Sequence, residues 1–528
     1  MTRFQNLLLI LLIGIAGPLA AAPNVPPDEF GNIIPDFSLA GYRNGGVPLP
    51  VAPVVETLQP AADGDDSKRI QSALDRVAKL PARPEDGVRG AVLLERGLFR
   101  CGSTLNVRPG VTLRGKGQDA DGTTILATMI PSGDQKPTLI RMQGDGETKS
   151  TGKAQPILDE KVPLGTRVLR IEGAEQFRKG DLVIVQRGSN DKWIQDLKMD
   201  RIKLSSGGFQ WKPDGYRLSW SARVTGVKTG LIRLDTPVIC AIELQYGGGT
   251  LSKAVDTREG GAAVEYLRLE SIYQKGSEDS DENHAWNAVS LNRIVDSWVK
   301  NVTAVHFAYA CVTTAKGASR ITVQDCAMLD PVSLIKGGRR YSFPAGGQFN
   351  LFQRCYTRNG RHDFVVGARD LGPTVFLDCL AEKAHSDIGP HHRWACGHLY
   401  DNIRGGAINV QDRGGSGTGH GWAGNCQVLW NCVATSLICQ KPWNPGSQNW
   451  AVGCIGPPGK PSQRDRPDGS IISPGKPVAP RSLYLAQLEA RLGPDAVRAV
   501  TTVEQRNGTI HEALRKRFNS KTATDRPR

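Results

Sequence analysis

A short β-type phrase returns six times between residues 321 and 454: Ile321-Thr-Val-Gln-Asp-Cys326, Leu351-Phe-Gln-Arg-Cys355, Val375-Phe-Leu-Asp-Cys379, Leu399-Tyr-Asp-Asn-Ile403, Val428-Leu-Trp-Asn-Cys432 and Trp450-Ala-Val-Gly-Cys454. Its closing residue advances by 29, 24, 24, 29 and 22 positions. Runs this short cannot bury an apolar face alone, and a period in the twenties is the mark of a solenoid whose coils cover one another. One coil of a parallel β-helix takes about that many residues. Equivalent positions in stacked coils lie ~4.8 Å apart. The repeat cysteines should therefore form an inward ladder of small apolar side chains, as buried thiols rather than disulfides. The chain has eleven cysteines, an odd number, and no CxxC pair that would suggest a metal knuckle.

The spacing predicts an all-β fold, a parallel β-helix (solenoid) with an N-terminal capping helix, an inserted antiparallel β module and a C-terminal helix. Residues 1–22 read as a cleaved signal peptide: Arg3, an apolar core from Leu7 to Ala16, and Ala20-Ala21-Ala22 at the cleavage zone. A secreted or periplasmic product is expected, and no later stretch is apolar enough to span a bilayer. Residues 23–60 are Pro/Gly-rich and read as an extended arm. Residues 61–149 start the solenoid, with Asp65-Asp66-Ser67 opening a helix on Ile70, Leu74 and Val77. That helix would protect the exposed first coil. Residues 150–250 break the repeat and read as the antiparallel insert; residues 251–460 carry the main coils. Residues 461–528 hold a linker, a helix on Leu483, Leu485, Leu488 and Leu492, and a tail expected to be loosely ordered from about 505.

The formal charge is +14 with a pI near 9.3. An excess of this size favours a polyanionic partner. No nucleic-acid-binding motif and no continuous basic run accompany it, which leaves an anionic lipid surface or an acidic polysaccharide as partner of a chain expected to be monomeric. Seven of the nine histidines fall between residues 306 and 420. Four phrases there carry candidate chemistry: Gly338-Arg-Arg-Tyr341, Arg361-His362-Asp363, the tract from His385 to Trp394, and Gln411-Asp-Arg413 with Gly419-His420-Gly421-Trp422. Arg340, Arg369 and Arg393 each lie 14 residues past a repeat cysteine. If loop insertions fall after that point, the three line one face. No HExxH or fixed His/Cys set supports metal catalysis. The run Glu278-Asp-Ser-Asp-Glu282 could take calcium, the one cofactor that the sequence brings into view. It lacks the EF-hand pattern and reads as a solvated acidic loop. Trp193, Trp211 and Trp220 could stack on sugar rings, with partial burial the plainer reading.

Asp65-Asp66 with Ile70-Gln71, the turn from Val107 to Gly115 and the later coils together resemble the pectate-lyase-like, right-handed parallel β-helix superfamily. Within it, Gly338-Arg-Arg-Tyr341, Arg361-His362, Gly389-Pro-His391, Arg393-Trp394 and Gly419-His-Gly-Trp-Ala423 are similar to secreted bacterial proteins related to polysaccharide lyases. The likeness covers roughly residues 35 to 500. The calcium-site and arginine pattern of pectate lyases proper and the paired-Asp motifs of polygalacturonases are not evident. The resemblance implies β-elimination on a uronic-acid polymer. A lyase of this kind must neutralise the carboxylate, remove the acidified C5 proton and protonate the departing O4. Arginine suits the first task, histidine the second, and tyrosine or a second histidine the third. The catalytic candidates are His391 or His420 as base, Tyr341 or His362 as acid, and Arg361 or Arg393 on the carboxylate, with Arg340 as a further carboxylate ligand. Arg340, Arg369, His385, Trp394, Arg413 and Trp422 are the expected substrate-binding residues. Two alternatives remain at this stage. A glycoside hydrolase would use two of Asp363, Asp387 and Asp412, at the separation such enzymes need. A non-catalytic glycan-binding or adhesion solenoid would bind without turnover.

Overall fold

The computed structural model describes residues 25–205, 207–444 and 446–519. The expected signal peptide lies outside them. Among the described residues no helix is long and apolar enough to cross a membrane.

The repeat phrase forms stacked parallel strands. Asn350–Gln353 pairs with Leu371–Leu377, which pairs with Ala395–Asp401, then Gly424–Trp430 and Trp450–Val452. The residue before each closing position turns the chain. Tyr266, Asn301, Asp325, Arg354, Asp378, Asn402 and Asn431 all adopt left-handed dihedrals with φ between 50° and 56°, and Gly453 does so at 67°. Asn, Asp and Gly tolerate that region best, which is why they dominate the penultimate place of the phrase. Their amides donate across the coil spacing, for example Arg354 to Leu377, Asp378 to Asp401 and Asn402 to Trp430. Beyond each corner a second strand runs on, as in Tyr356–Arg358, Leu380–Glu382, Arg404–Val410 and Val433–Cys439. A third, short ladder of Phe343–Ala345, Phe364–Val366 and Gly389–Pro390 closes the coil.

Cys326, Cys355, Cys379, Cys432 and Cys454 line the interior in register with Ile403, and all eleven cysteines are buried and unpaired. Their thiols point at carbonyls two residues upstream, as from Cys379 Sγ to Leu377 O at 3.3 Å. Phe343, Phe352, Phe364, Phe376 and Tyr400 fill the rest of that cross-section.

The helix Ser67–Val77 covers the first coil with Ile70, Ala73, Leu74 and Val77. The arm adds a parallel strand, Val54–Leu58, to that coil. The insert is a six-stranded sheet in the order Val168–Arg170, Leu231–Leu234, Leu218–Lys228, Leu182–Arg187, Gly249–Asp256, Thr148–Pro156, with antiparallel pairings throughout. The chain leaves the solenoid and rejoins it on the next rung, because Asn287–Asn292 stacks in parallel on Thr138–Gln143.

The C-terminal expectation needs correction. Beyond the helix Leu483–Leu492, the segment expected to be loose forms Val503–Asn507 and Ile510–Phe518. Ile510, Leu514 and Phe518 recur every four residues and cover Leu329, Tyr356 and Leu380 on the outer face. Leu483, Tyr484 and Leu488 cover a second face together with Phe37 and Ala40 of the arm.

Candidate active site

The coil geometry decides which candidates meet. Between Cys355 and Cys379 the repeat is 24 residues, and the third ladder keeps that offset, with Val365 opposite Gly389. Arg369 therefore stacks on Arg393, its amide donating to the Arg393 carbonyl at 2.8 Å, and His385 donates to Gly360 beside Arg361 at 2.9 Å. Arg340 does not join the arginine row. Phe343 faces Phe364, an offset of 21, so Arg340 lies over Arg361, whose amide donates to the Arg340 carbonyl. The extra residues of the 29-residue coil are inserted before Arg340, around residues 331–339, and not after it.

Five rings form one contiguous cluster. Tyr341 Oη lies 3.0 Å from His391 Nε2, and His362 packs 4.8 Å from Tyr341 and 4.5 Å from His391 between ring centroids. His392 and His420 sit 5.2 and 5.1 Å from His391 and 5.0 Å from each other. A loop excursion makes this possible. Asp412 bridges to Trp422, Arg413 donates to Gly421, and the residues between fold back over His391. The excursion carries Arg413, whose Nη1 lies 2.9 Å from His391 Nδ1, 3.3 Å from Nε2 and 2.8 Å from the His391 carbonyl. It also carries His420. The insert walls it in, with Trp211 Nε1 on the Gly419 carbonyl and Phe209 N on that of Thr418.

Four arginines frame the cluster: Arg361, Arg369, Arg393 and Arg413. Each guanidinium is held by a backbone carbonyl, of Gly337, Gly215, Thr418 and His391 respectively. None of the four forms an ion pair with a carboxylate of the described residues. Asp387 is the one carboxylate among the rings; His362 Nδ1 lies 3.1 Å from its Oδ1, and Asn409 donates to its Oδ2. With its Nδ1 so engaged, His362 keeps a buried Nε2 without a partner.

Burial first, then the Arg413 charge, pushes the His391 imidazole far below its ordinary value. Burial and the neighbouring His420 press His392 down to about 3. Burial and Arg413 bring His420 down to about 4. All three are neutral bases at neutral pH. Burial raises the Tyr341 phenol against the pull of Arg361, so it keeps its proton. Burial works against the Asp387 carboxylate, but the His362 hydrogen bond and the Arg413 charge outweigh it and hold the group well below the carboxylate range.

Of the expected site residues, His391, His420, His362, Tyr341, Arg361, Arg393, Arg369 and Arg413 come together. His385 is exposed at the edge of a neighbouring pocket. Three are elsewhere. Arg340 is 3% exposed and bonded to Asp279 and to the carbonyls of Glu278 and Ser333. Its partner loop is the acidic run considered for calcium, which Arg339 also pins through Glu282. Among the described residues no group of three or more His, Cys, Asp or Glu is arranged to hold a metal. Trp394 and Trp422 are fully buried anchors of the insert; Trp394 meets Trp193 edge-on at 4.9 Å and donates to Cys240 Sγ. Trp193, Trp211 and Trp220 are buried in the same core. Sequence reasoning missed His392 as a separate member, Asp387 as the partner of His362, and Phe209, an exposed aromatic of the insert beneath Arg393. The adjacent pair His391-His392 was the available signal for the first; no local signal marked the others.

No protein-family model matches this sequence, and the comparison with curated proteins returns no match. Solved structures similar to the chain include the tailspike protein gp49 from Pseudomonas phage LKA1, at 12% identity and TM-score 0.43, covering 74% of this chain and 56% of that one. The tailspike of Escherichia coli bacteriophage HK620, solved with a pentasaccharide, matches at 11% identity and TM-score 0.39, covering 75% of this chain and 54% of that one. The chain thus spans little more than half the length of these phage proteins. The gp54 tailspike of Acinetobacter baumannii bacteriophage AP22, solved with a capsular saccharide, matches at 9% identity and TM-score 0.24, covering 76% and 72%.

Proposed function

We propose that this protein is a polysaccharide lyase that cleaves a uronic-acid polymer by β-elimination, on the pectate-lyase-like scaffold that the sequence resembles. One observation carries the reading: four arginines without carboxylate partners surround a tyrosine hydrogen-bonded to a neutral histidine. Guanidiniums without a carboxylate ion pair favour an anionic ligand, and their forks suit a carboxylate.

The chemistry follows from proton accounting. Arg413 Nη1 lies 2.9 Å from Nδ1 and 3.3 Å from Nε2 of His391, over the ring and not along one lone pair, and in this reading His391 takes the tautomer whose Nε2 proton is donated to Tyr341 Oη. The phenol proton is then free for substrate. With the uronate carboxylate on the arginines, C5–H is acidified. His420, a neutral imidazole on the rim, takes that proton; the C5–H electron pair forms the C4–C5 double bond and the C4–O4 bond breaks. Tyr341 gives its proton to O4, and His391 supports the resulting phenolate. Burial is the first cause of the depressed His420, and the bound carboxylate offsets the second, the Arg413 and Arg393 charges, which raises the basicity of His420.

The hydrolase alternative loses its second carboxylate. Asp363 is buried against Ser342, with burial raising it to about 6, and Asp412 is buried in an ion pair with Arg466. Incubating the protein with a panel of acidic polysaccharides tests the reading: ultraviolet absorbance from an unsaturated uronate end is expected. Saturated reducing ends from every cleaved polymer, or binding without turnover across the panel, would overturn it.

A further inference from the structure

Beside the ring cluster lies a surface pocket of about 580 Å3, which shares Asp387 and Arg413 with the cluster. Its lining includes Ala381, Ala384, Gly405, Gly406 and Ala407, so one side offers little but backbone and methyl groups. These small residues fit one another closely: a Cβ on Gly406 would stand 3.3 Å from that of Ala384, and one on Gly405 would stand 2.8 Å from Ile388 Cδ1. Lys383, Asn409, Thr435 and Ser462 supply polar groups around this shelf. The Asn409 amide oxygen is buried without a partner. Both Asp387 oxygens are occupied, Oδ1 by His362 and Ser386 and Oδ2 by Asn409. Lys383 is exposed and forms no ion pair with a carboxylate of the described residues.

A shelf of backbone and methyl groups edged by hydroxyl and amide groups matches the C–H face and the rim hydroxyls of one pyranose ring. A cation with no carboxylate partner at its edge matches a carboxylate on that ring. We infer that this pocket binds the uronic-acid residue next to the bond that is cut, so that the preferred polymer carries uronic acids in succession rather than alternating with amino sugars. The inference rests on the reading of the cluster as a site for uronate polymers.

Binding is measured on the full chain carrying Tyr341→Phe, which keeps the ligand intact. The probes are oligomers of polygalacturonate, polymannuronate or polyguluronate, compared with hyaluronan oligomers of equal length. At least one homopolymer should bind about tenfold tighter than hyaluronan, and Lys383→Gln should abolish that preference by weakening the homopolymer alone. Gly406→Leu, which fills the shelf, should weaken homopolymer binding at least as much. Equal affinity for the two polymer types, absence of homopolymer binding, or unchanged affinity in both variants with an unchanged melting temperature would overturn the subsite. The two readings fail separately. If the variants lose binding while the native protein makes no unsaturated product, elimination is wrong and the subsite stands. If unsaturated product forms and the variants bind as the parent does, the subsite is wrong and elimination stands.

Discussion

Arg354, Arg358 and Arg361 lie within one turn of the solenoid, yet they belong to two different populations. Arg354 grips Asp325 with two bonds of 2.8 Å and is 3% exposed, and Arg358 pairs with Asp330 in the same way one strand later. Arg320 with Asp296 and Arg481 with Asp378 continue that pattern. These pairs join neighbouring coils and the C-terminal segment to the helix. Arg361 has no carboxylate, and neither do Arg369, Arg393 and Arg413 around the rings. Arg361, Arg369, Arg393 and Arg413 lie without such a pair around one set of rings, where their mutual repulsion costs stability. The difference separates the arginines that hold the fold from those that, in the proposed reaction, would meet the substrate carboxylate.

The sharpest way to break the comparison is through the group that the unmatched arginines surround. Tyr341→Phe should lower kcat by about 10³, the ordinary worth of a general acid, with an unchanged melting temperature; a loss below tenfold in steady-state kinetics would remove Tyr341 from the reaction. Arg354→Met should do the opposite. It strands Asp325 in a mostly buried position and should cost about 3 kcal/mol of stability, seen in chemical denaturation, with native kcat at temperatures where the fold persists. Arg413→Met should lower kcat/KM by about 10², without the stability loss of Arg354→Met. Removing that guanidinium should also move the acid limb of the pH profile upward, because it depresses both His391 and His420.

The smallest effect is the pH dependence of the intact protein. His420 lies at about 4, against 6.5 for a free imidazole. The unfolded chain therefore takes up the proton first, and this group's contribution to stability is full above about pH 6.5 and erodes as pH falls toward 4. As a base it must be unprotonated, so kcat/KM should stay level through neutrality and fall only near pH 4. In kcat the limb should lie higher, since bound carboxylate offsets the arginines. A kcat/KM limb at the free-imidazole value would mean that His420 is solvated and not the base.

Much of the scaffold was legible in the sequence because its physics is local and repeated. The left-handed corner asks for Asn, Asp or Gly, the interior next to it asks for a small apolar group, and both recur at the coil period. The helices of residues 503–518 were missed because their apolar residues make sense only against the sheet they cover. The site was partly legible. Arg369 and Arg393 could be paired because their coil has no insertion, whereas Arg340 was misplaced because a count of residues cannot tell on which side of it a loop has grown. Trp394 and Trp422 looked like sugar platforms because nothing near them in sequence announces the insert that buries them. Asp387 acquires its part from His362, one coil earlier, through a contact that only stacking creates.

The central claim is that the arginine-framed rings remove a proton from C5 of a uronic acid. Proton magnetic resonance of a polyuronate digested by the native protein tests this directly. Loss of the H-5 signal at each cleaved residue and the appearance of a vinylic H-4 are expected, both slowed about 10³-fold with Tyr341→Phe. New reducing ends with H-5 retained would contradict it.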